Sequence, residues 1–339
     1  MTDVQPLQAL YIKTYGCQTN VYDSQKMAEL LLPLGYGLTE DPAEASLVIL
    51  NTCHVREKAT EKVYSDLGRM RMHQKRRLDE TGDSMRIIVA GCVGQAEGEA
   101  IFERAPFVDA VVGPQSYQHL PELLGRLDRG QRHVTALEFE ADQKFDSLPE
   151  SVLPQGASAF VAVQEGCDKF CHFCSVSYTR GAEYSRPVPS VMREVLLLAS
   201  RGVREITLLG QNVNAYHGEG VDSEEGAWDL GRLLHRVAEV PGVTRLRYTT
   251  SHPRDMHESL YRAHAELGVV MPFVHLPVQS GSDRVLKAMN RKHGVREYME
   301  VIDRLRRERS GMAFSSDFIV GYPGETEQDF LETLALVKE

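Results

Sequence analysis

Ala159-Phe160-Val161-Ala162-Val163-Gln164-Glu165-Gly166-Cys167-Asp168-Lys169-Phe170-Cys171-His172-Phe173-Cys174 decides how this chain is read. Phe160–Gln164 is a mostly apolar run of strand length, and three cysteines in C-x-x-x-C-x-x-C spacing follow it directly. That spacing supplies three thiolates to a cubane iron–sulfur cluster and leaves the fourth iron open to a substrate. A cluster that only carries electrons normally takes four cysteines. Zinc takes four ligands in two pairs, and no second pair follows here. Free cysteines have no packing reason to gather in one line.

Downstream of this stretch, strands alternate with helices. Glu205–Leu209, Arg245–Thr250, Val270–Leu276 and Phe314–Val320 read as further strands. Between them, Leu230, Leu233, Leu234, Val237 and Ala238 form one apolar helical face, and Val295, Tyr298, Ile302 and Leu305 another. Sustained repeats of this kind predict a (β/α) barrel, whole or partial, with its chemistry at the carboxyl ends of the strands. The cysteine triplet follows the first strand and so falls on that edge. A last helix opens with the capping-box-like Thr326-Glu327-Gln328-Asp329, and the chain stops at Glu339 inside it. A five-stranded barrel with an open sixth position exposes a strand edge, so we expect residues 157–339 to be an incomplete barrel domain.

Upstream, residues 7–128 read as a smaller α/β domain. Leu10-Tyr11-Ile12, Leu47-Val48-Ile49-Leu50 and Ile87-Ile88-Val89 are short buried strands, each with a single cysteine just past its end: Cys17, Cys53 and Cys92. The second helix carries an apolar stripe at Val55, Ala59, Val63, Leu67 and Met70. Phe107–Val112 gives a fourth strand and Tyr117–Leu127 a last helix, so a doubly wound parallel sheet of four strands is expected. Ligands in such sheets sit outside the carboxyl ends of the strands. Cys17, Cys53 and Cys92 would therefore meet on one edge, the geometry of a second three-thiolate cluster. Residues 129–156 hold no period and read as a linker.

Composition narrows the class. With 42% hydrophobic and 25% charged residues, the 339-residue chain has the make-up of a globular protein long enough for two domains. Met1-Thr2-Asp3-Val4-Gln5-Pro6 has neither the basic nor the apolar segment of a signal peptide, and no apolar run nears the length of a membrane span. Six cysteines in a cytoplasmic protein are metal or redox ligands rather than three disulfides.

Six segments carry a family resemblance: Thr14-Tyr15-Gly16-Cys17-Gln18-Thr19-Asn20, Asn51-Thr52-Cys53-His54-Val55-Arg56-Glu57-Lys58-Ala59, Gly166-Cys167 through Cys174, Tyr178-Thr179-Arg180-Gly181, Leu209-Gly210-Gln211-Asn212-Val213 and Leu276-Pro277-Val278-Gln279-Ser280-Gly281-Ser282. Over residues 8–339 the chain resembles the radical S-adenosylmethionine (SAM) methylthiotransferases. Arg56–Ala59 and Thr250-Ser251-His252-Pro253 look most like the tRNA-modifying branch. Ser177 stands where family members usually carry a proline, which would stiffen that loop. Family members also continue into a sixth barrel strand and a small RNA-binding barrel called TRAM, which this chain lacks.

The resemblance implies two 4Fe-4S clusters and SAM as both radical source and methyl donor. The cluster at Cys167, Cys171 and Cys174 would bind and cleave SAM. The one at Cys17, Cys53 and Cys92 would present sulfur. The implied reaction is methylthio transfer to carbon 2 of N6-isopentenyladenosine beside the tRNA anticodon. Alternatives are threonylcarbamoyladenosine in tRNA, a ribosomal-protein aspartate, or a non-catalytic iron–sulfur carrier. Partners would be a tRNA anticodon stem-loop and a low-potential donor of the flavodoxin or ferredoxin type. No catalytic acid or base is assigned, because the cofactor carries the chemistry. Phe173 is expected along the SAM adenine, and Gly210, Gln211 and Asn212 near its amino group. His252 and His275 read as structural. A net charge of −10 opposes phosphate binding, and the basic runs Arg69–Arg77 and Arg304–Arg309 read as solvated helix faces, with local RNA footprints as the alternative.

Overall fold

A computed structural model describes residues 8–54, 57–139, 141–147, 156–221 and 226–339. The chain divides into two compact units, one of Met1–Leu153 with Tyr178–Gly181, the other of Pro154–Ser177 with Ala182–Glu339.

The first unit is a parallel sheet. Its strands are β1 (Gln8–Thr14), β2 (Tyr36–Leu38), β3 (Leu47–Thr52), β4 (Arg86–Gly91), β5 (Ala110–Val112) and β6 (Val134–Ala136), in the spatial order β2-β1-β3-β4-β5-β6. The sheet thus has six strands rather than the expected four. Tyr36–Leu38 and Val134–Ala136 are too short for a period to register, and pairing with β1 and β5 makes them strands. The stretch read as a linker supplies β6 and the helix Ala141–Asp146.

Both faces of this sheet are covered. Along β3, Leu47 and Ile49 join one apolar cluster with Met27 and Leu31 of α1 (Gln18–Leu31), while Val48 and Leu50 join another with Val63, Leu67 and Met70 of α2 (Glu57–Thr81). A strand buried on both faces needs an unbroken apolar run, and Leu47–Leu50 is one. Of the stripe read for α2, the side chains of Val55 and Ala59 lie outside the described residues. Tyr178–Gly181 joins this unit through Arg180, whose guanidinium meets Asp23 of α1 at 2.8 Å with both side chains buried.

The second unit is a partial barrel. Strands β7 (Ser158–Ala162), β8 (Glu205–Leu209) and β9 (Arg245–Thr249) form a parallel sheet in the order β9-β8-β7. A parallel bridge from Leu246 to Val270 leads on to β10 (Phe273–His275), which pairs in parallel with β11 (Ala313–Ser315). β10 is shorter than the apolar run Val270–Leu276 suggests. Pro272 and Pro277 flank it, and a proline has no N–H for the ladder. The apolar helical faces pack as expected, with Leu230, Leu233, Leu234, Val237, Tyr298, Ile302 and Leu305 all buried.

His264, on the helix Glu258–Glu266, is buried against Tyr248, whose hydroxyl lies 2.7 Å from its Nε2. Burial, with Arg309 adding to it, pushes the ring down to about 4. The folded state therefore binds fewer protons than the unfolded one between pH 6.5 and about 4, and its stability falls as the pH drops through that window. His264→Gln should flatten this loss by up to one proton's share, about 1.4 kcal/mol per pH unit, in urea titrations from pH 7 to pH 4. An unchanged slope would show that the ring is already protonated or solvated in the fold.

Candidate metal centres

In the first unit, parallel pairing brings the three isolated cysteines to one edge. The register aligns Thr14 with Asn51 and Asn51 with Ala90 on adjacent strands β1, β3 and β4. Cys53 and Cys92 each lie two residues past that row, and Cys17 three residues past it. Neighbouring strands stand about 4.8 Å apart. Gly16, at φ +96°, permits the close approach of the Cys53 loop. A Cβ at position 16 would fall 2.8 Å from Cys53 Sγ and collide with its Cβ. Gly91, at φ +84°, plays the same part beneath Cys92, where a Cβ would strike the Thr52 carbonyl.

A polar network without exposure holds these three turns. Asn20 Nδ2 donates to Asn51 Oδ1 at 3.2 Å and to the Thr52 carbonyl at 3.0 Å. Asn51 Nδ2 donates back to the Asn20 carbonyl at 2.8 Å and to Ser24 Oγ at 2.9 Å. Thr52 Oγ1 donates to the Ala90 carbonyl at 2.6 Å and accepts from Val93 N at 3.1 Å. Each strand end is thereby tied to the next, and Cys17 Sγ itself lies 3.3 Å from Asn20 Oδ1. Buried polar networks rigidify when every member is satisfied.

In the second unit, the Cys167–Cys174 loop is pinned at several points. Cys174 N donates to the Cys171 carbonyl at 2.9 Å, closing a turn. His172 N donates to the Met289 carbonyl at 3.0 Å, and Asn290 Nδ2 to the Phe170 carbonyl at 2.8 Å. Lys169 pairs with Asp255 at 2.8 Å. Ser177 Oγ donates to the Cys167 carbonyl at 2.6 Å, so the serine ties the two ends of the loop where a proline would have stiffened it. All six cysteines are free thiols.

Burial pushes the Cys167 thiol up to about 11, and the neighbouring Cys174 and Cys171 add to this. Burial also raises Cys174, with Cys171 contributing and Arg291 opposing. Bound iron would offset both effects at Cys167 and Cys174, since a coordinating thiol is deprotonated outright. Among the described residues no three His, Cys, Asp or Glu side chains converge on a single ion. A cubane places each thiolate on a different iron and needs no such convergence.

The sequence profile of the radical SAM superfamily matches residues 161–337, and that of the uncharacterized family UPF0004 matches residues 9–113. The tRNA-2-methylthio-N(6)-dimethylallyladenosine synthase of Wolbachia pipientis subsp. Culex pipiens (strain wPip) is 59% identical over 98% of this chain and 74% of its own length. Synthases of the same name from Ehrlichia chaffeensis (strain ATCC CRL-10679 / Arkansas) and Rickettsia canadensis (strain McKiel) are each 58% identical, over 98% and 97% of this chain and 74% of their own lengths. The chain belongs to this family of radical SAM proteins. Among solved structures, the radical SAM methyltransferase TsrM from Kitasatospora setae aligns with TM-score 0.69 at 16% identity, over 98% of this chain and 71% of its own. The cobalamin-dependent SAM radical enzyme OxsB aligns with TM-score 0.67 at 12% identity. This chain spans about half of its length, 52%. Both likenesses bear on fold alone.

The three free thiols of the Cys167–Cys174 loop suit the one open-iron cluster that radical SAM chemistry requires, and three more free thiols lie past the ends of β1, β3 and β4. Of the residues expected near SAM, Gly210, Gln211 and Asn212 are wired to the start of the cysteine loop. Gln211 Oε1 accepts from Gly166 N at 2.8 Å, and Asn212 N donates to Gln164 Oε1 at 3.1 Å. A Cβ on Gly210 would fall 2.5 Å from that same Gln164 oxygen. Asn212 Nδ2 donates to Asp255 at 2.9 Å, while its Oδ1 is buried with no hydrogen-bond partner. A buried acceptor left over at this edge suits an amino group. Phe173 is half-buried. His252 is buried, pushed down to about 2 by burial and then by Arg291, and so stays neutral. His275 Nδ1 lies 2.8 Å from Ser315 Oγ. Sequence reading passed over Arg291, whose Nη1 lies 3.6 Å from Cys171 Sγ across 120 residues of chain. It also passed over Asn20 and Asn51, whose place beside Cys17 and Cys53 was their only signal.

Gly16→Ala tests the first-unit geometry. The added methyl forces Cys53 away and strains a backbone at φ +96°. After anaerobic reconstitution the variant should hold about half the wild-type iron and sulfide and lose about 1–3 kcal/mol of stability. Wild-type iron content would show that Cys53 is no ligand.

Proposed function

We propose that this protein transfers a methylthio group to carbon 2 of N6-isopentenyladenosine next to the anticodon of tRNA. The observation that carries this reading is identity of 57–59% over 97–98% of the chain to synthases named for that product. It is an enzyme of the radical SAM type, using SAM and iron–sulfur chemistry. We read two clusters, with Cys167, Cys171 and Cys174 as ligands of the SAM-binding one and Cys17, Cys53 and Cys92 as ligands of an auxiliary one. When bound, the first supplies an electron to the SAM sulfonium and the second supplies sulfur.

The chain's own residues hold and orient. Six thiolates bind iron. Asn20, Asn51 and Thr52 keep the first three turns fixed, and Gln164 and Gln211 fix the entry to Cys167. Asn212 Oδ1, buried without a hydrogen-bond partner, would accept from the SAM amino group, and Phe173 would pack along its adenine. A carbon–hydrogen bond on an aromatic ring offers nothing for an acid or base to grip, so this reading assigns no general base. SAM's sulfonium is hard to reduce, so its cluster would work toward the negative end of the known range, about −700 to +450 mV, and would be loaded by a low-potential flavodoxin- or ferredoxin-type partner. A substrate in tRNA and a reductant of this class make the protein cytoplasmic. Among the described residues no helix is long and apolar enough to cross a membrane.

The basic runs are engaged within the fold. Arg69 pairs with Asp66 at 3.1 Å, Arg76 with Glu80 at 2.7 Å and Arg304 with Glu258 at 2.6 Å. Arg309 donates to the carbonyls of His264, Leu267 and Val270 at a helix end. Exposed pairs of this kind are weak, which suits the reading of these runs as solvated helix faces.

Nucleoside mass spectrometry of tRNA from cells that lack the native enzyme and express this gene tests the substrate. The 2-methylthio product should appear only with the gene. Its absence, with isopentenyladenosine intact, would overturn the reading. Cys17→Ala should keep deoxyadenosine formation within about twofold while abolishing methylthio transfer, and Cys171→Ala should abolish deoxyadenosine formation itself. A folded Cys17→Ala protein that forms no deoxyadenosine would refute the division between the clusters. A non-catalytic carrier would bind iron and cleave no SAM.

A further inference from the structure

Arg291 is buried, and each of its three guanidinium nitrogens meets an atom of one small neighbourhood. Nη1 faces Cys171 Sγ at 3.6 Å, Nη2 donates to the Pro277 carbonyl at 2.5 Å, and Nε donates to His293 Nε2 at 3.3 Å. None of these partners is a carboxylate. His293 is pushed down to about 4 by burial and by Arg291, so at neutral pH it accepts as a neutral ring. His252 stacks edge-on against His293 at 5.4 Å between centroids and is neutral too. A buried cation without a counter-ion is costly, and buried charges are ordinarily paired. Among the described residues, the one hydrogen-bond partner of Arg291 that can carry negative charge is the Cys171 sulfur.

The three nitrogens also fix direction. Pro277 and His293 hold two corners of the planar fork, which leaves Nη1 aimed at sulfur with little freedom. Lysine at this position could keep the charge but could not reach all three partners.

We propose that Arg291 is a positioning and tuning residue for the iron–sulfur group at Cys167, Cys171 and Cys174. Its Nη1–H donates to the Cys171 sulfur, and its uncompensated charge raises the reduction potential of the group that this sulfur ligates. The inference rests on the ligand reading above for that triad. Hydrogen bonds to cluster sulfurs and local net charge both set potential. Removing this donor and its charge makes the one-electron reduced state, which carries one more negative charge, harder to form.

The test uses the full chain carrying Cys17→Ala, Cys53→Ala and Cys92→Ala, so that one cluster gives the signal. It compares Arg291, Arg291→Lys and Arg291→Gln after anaerobic reconstitution. Iron content and an EPR-monitored redox titration without SAM are the readouts. For Arg291→Gln we expect about a tenfold lower ratio of reduced to oxidised cluster at a fixed potential, a shift of about 59 mV to the negative side. Arg291→Lys should shift less. A loaded Arg291→Gln protein with the parent potential overturns the proposal while leaving the ligand reading intact. Equal shifts in both variants overturn the role of charge. Loss of iron in both variants, with the parent loaded, assigns Arg291 to folding of the loop and also overturns it. A parent that takes up no iron overturns the ligand reading and the proposal together.

Discussion

Parallel pairing sends every strand's carboxyl end to the same edge, where the ladder stops and the next backbone groups must find partners elsewhere. In the first unit that demand is met by side chains from neighbouring turns. Asn20, Asn51, Ser24 and Thr52 bridge β1, β3 and β4 just beneath Cys17, Cys53 and Cys92. In the second unit the same demand falls on Gln164 and Gln211, which satisfy the backbone around Gly166 and hold the turn after β8. The cysteines are thus displayed on frames whose rigidity comes from hydrogen bonds rather than from the thiols. A loop that must keep three sulfurs at fixed spacing cannot rely on its own short length.

Electrostatics sets the second requirement. Buried thiols resist ionising, and near neighbours add to the resistance, as the raised Cys167 and Cys174 show. Bound iron would supply the missing positive charge, since a coordinating thiol is deprotonated outright. Arg291 stands against Cys171 with neutral histidines and a carbonyl for company. Elsewhere the chain spends its cations on its own carboxylates, as Arg76 and Arg304 do, which suits a protein of net charge −10.

Much of the fold was legible. The apolar runs at Leu47–Leu50 and Glu205–Leu209 became strands because four or five consecutive apolar or β-forming residues suit a position covered on both faces. The two short edge strands were not legible, because three residues carry no period and their conformation is imposed by the neighbour they pair with. The expected Val270–Leu276 strand shrank to Phe273–His275 between two prolines. That limit was visible in the residues and outweighed by their hydrophobicity.

The sequence by itself determined which thiols are available, how Cys167, Cys171 and Cys174 are spaced, and that strands alternate with helices. These are local properties, set by residue type and short-range spacing. Strand order, register and approach distances belonged to the tertiary structure. Strand–helix alternation already implied a shared edge for Cys17, Cys53 and Cys92, but only pairing sets their register, only the Gly16 backbone decides how near Cys53 can come, and only packing carries Arg291 across 120 residues to Cys171. Contacts between residues far apart in the chain depend on which surfaces bury each other, and no window of sequence contains both partners.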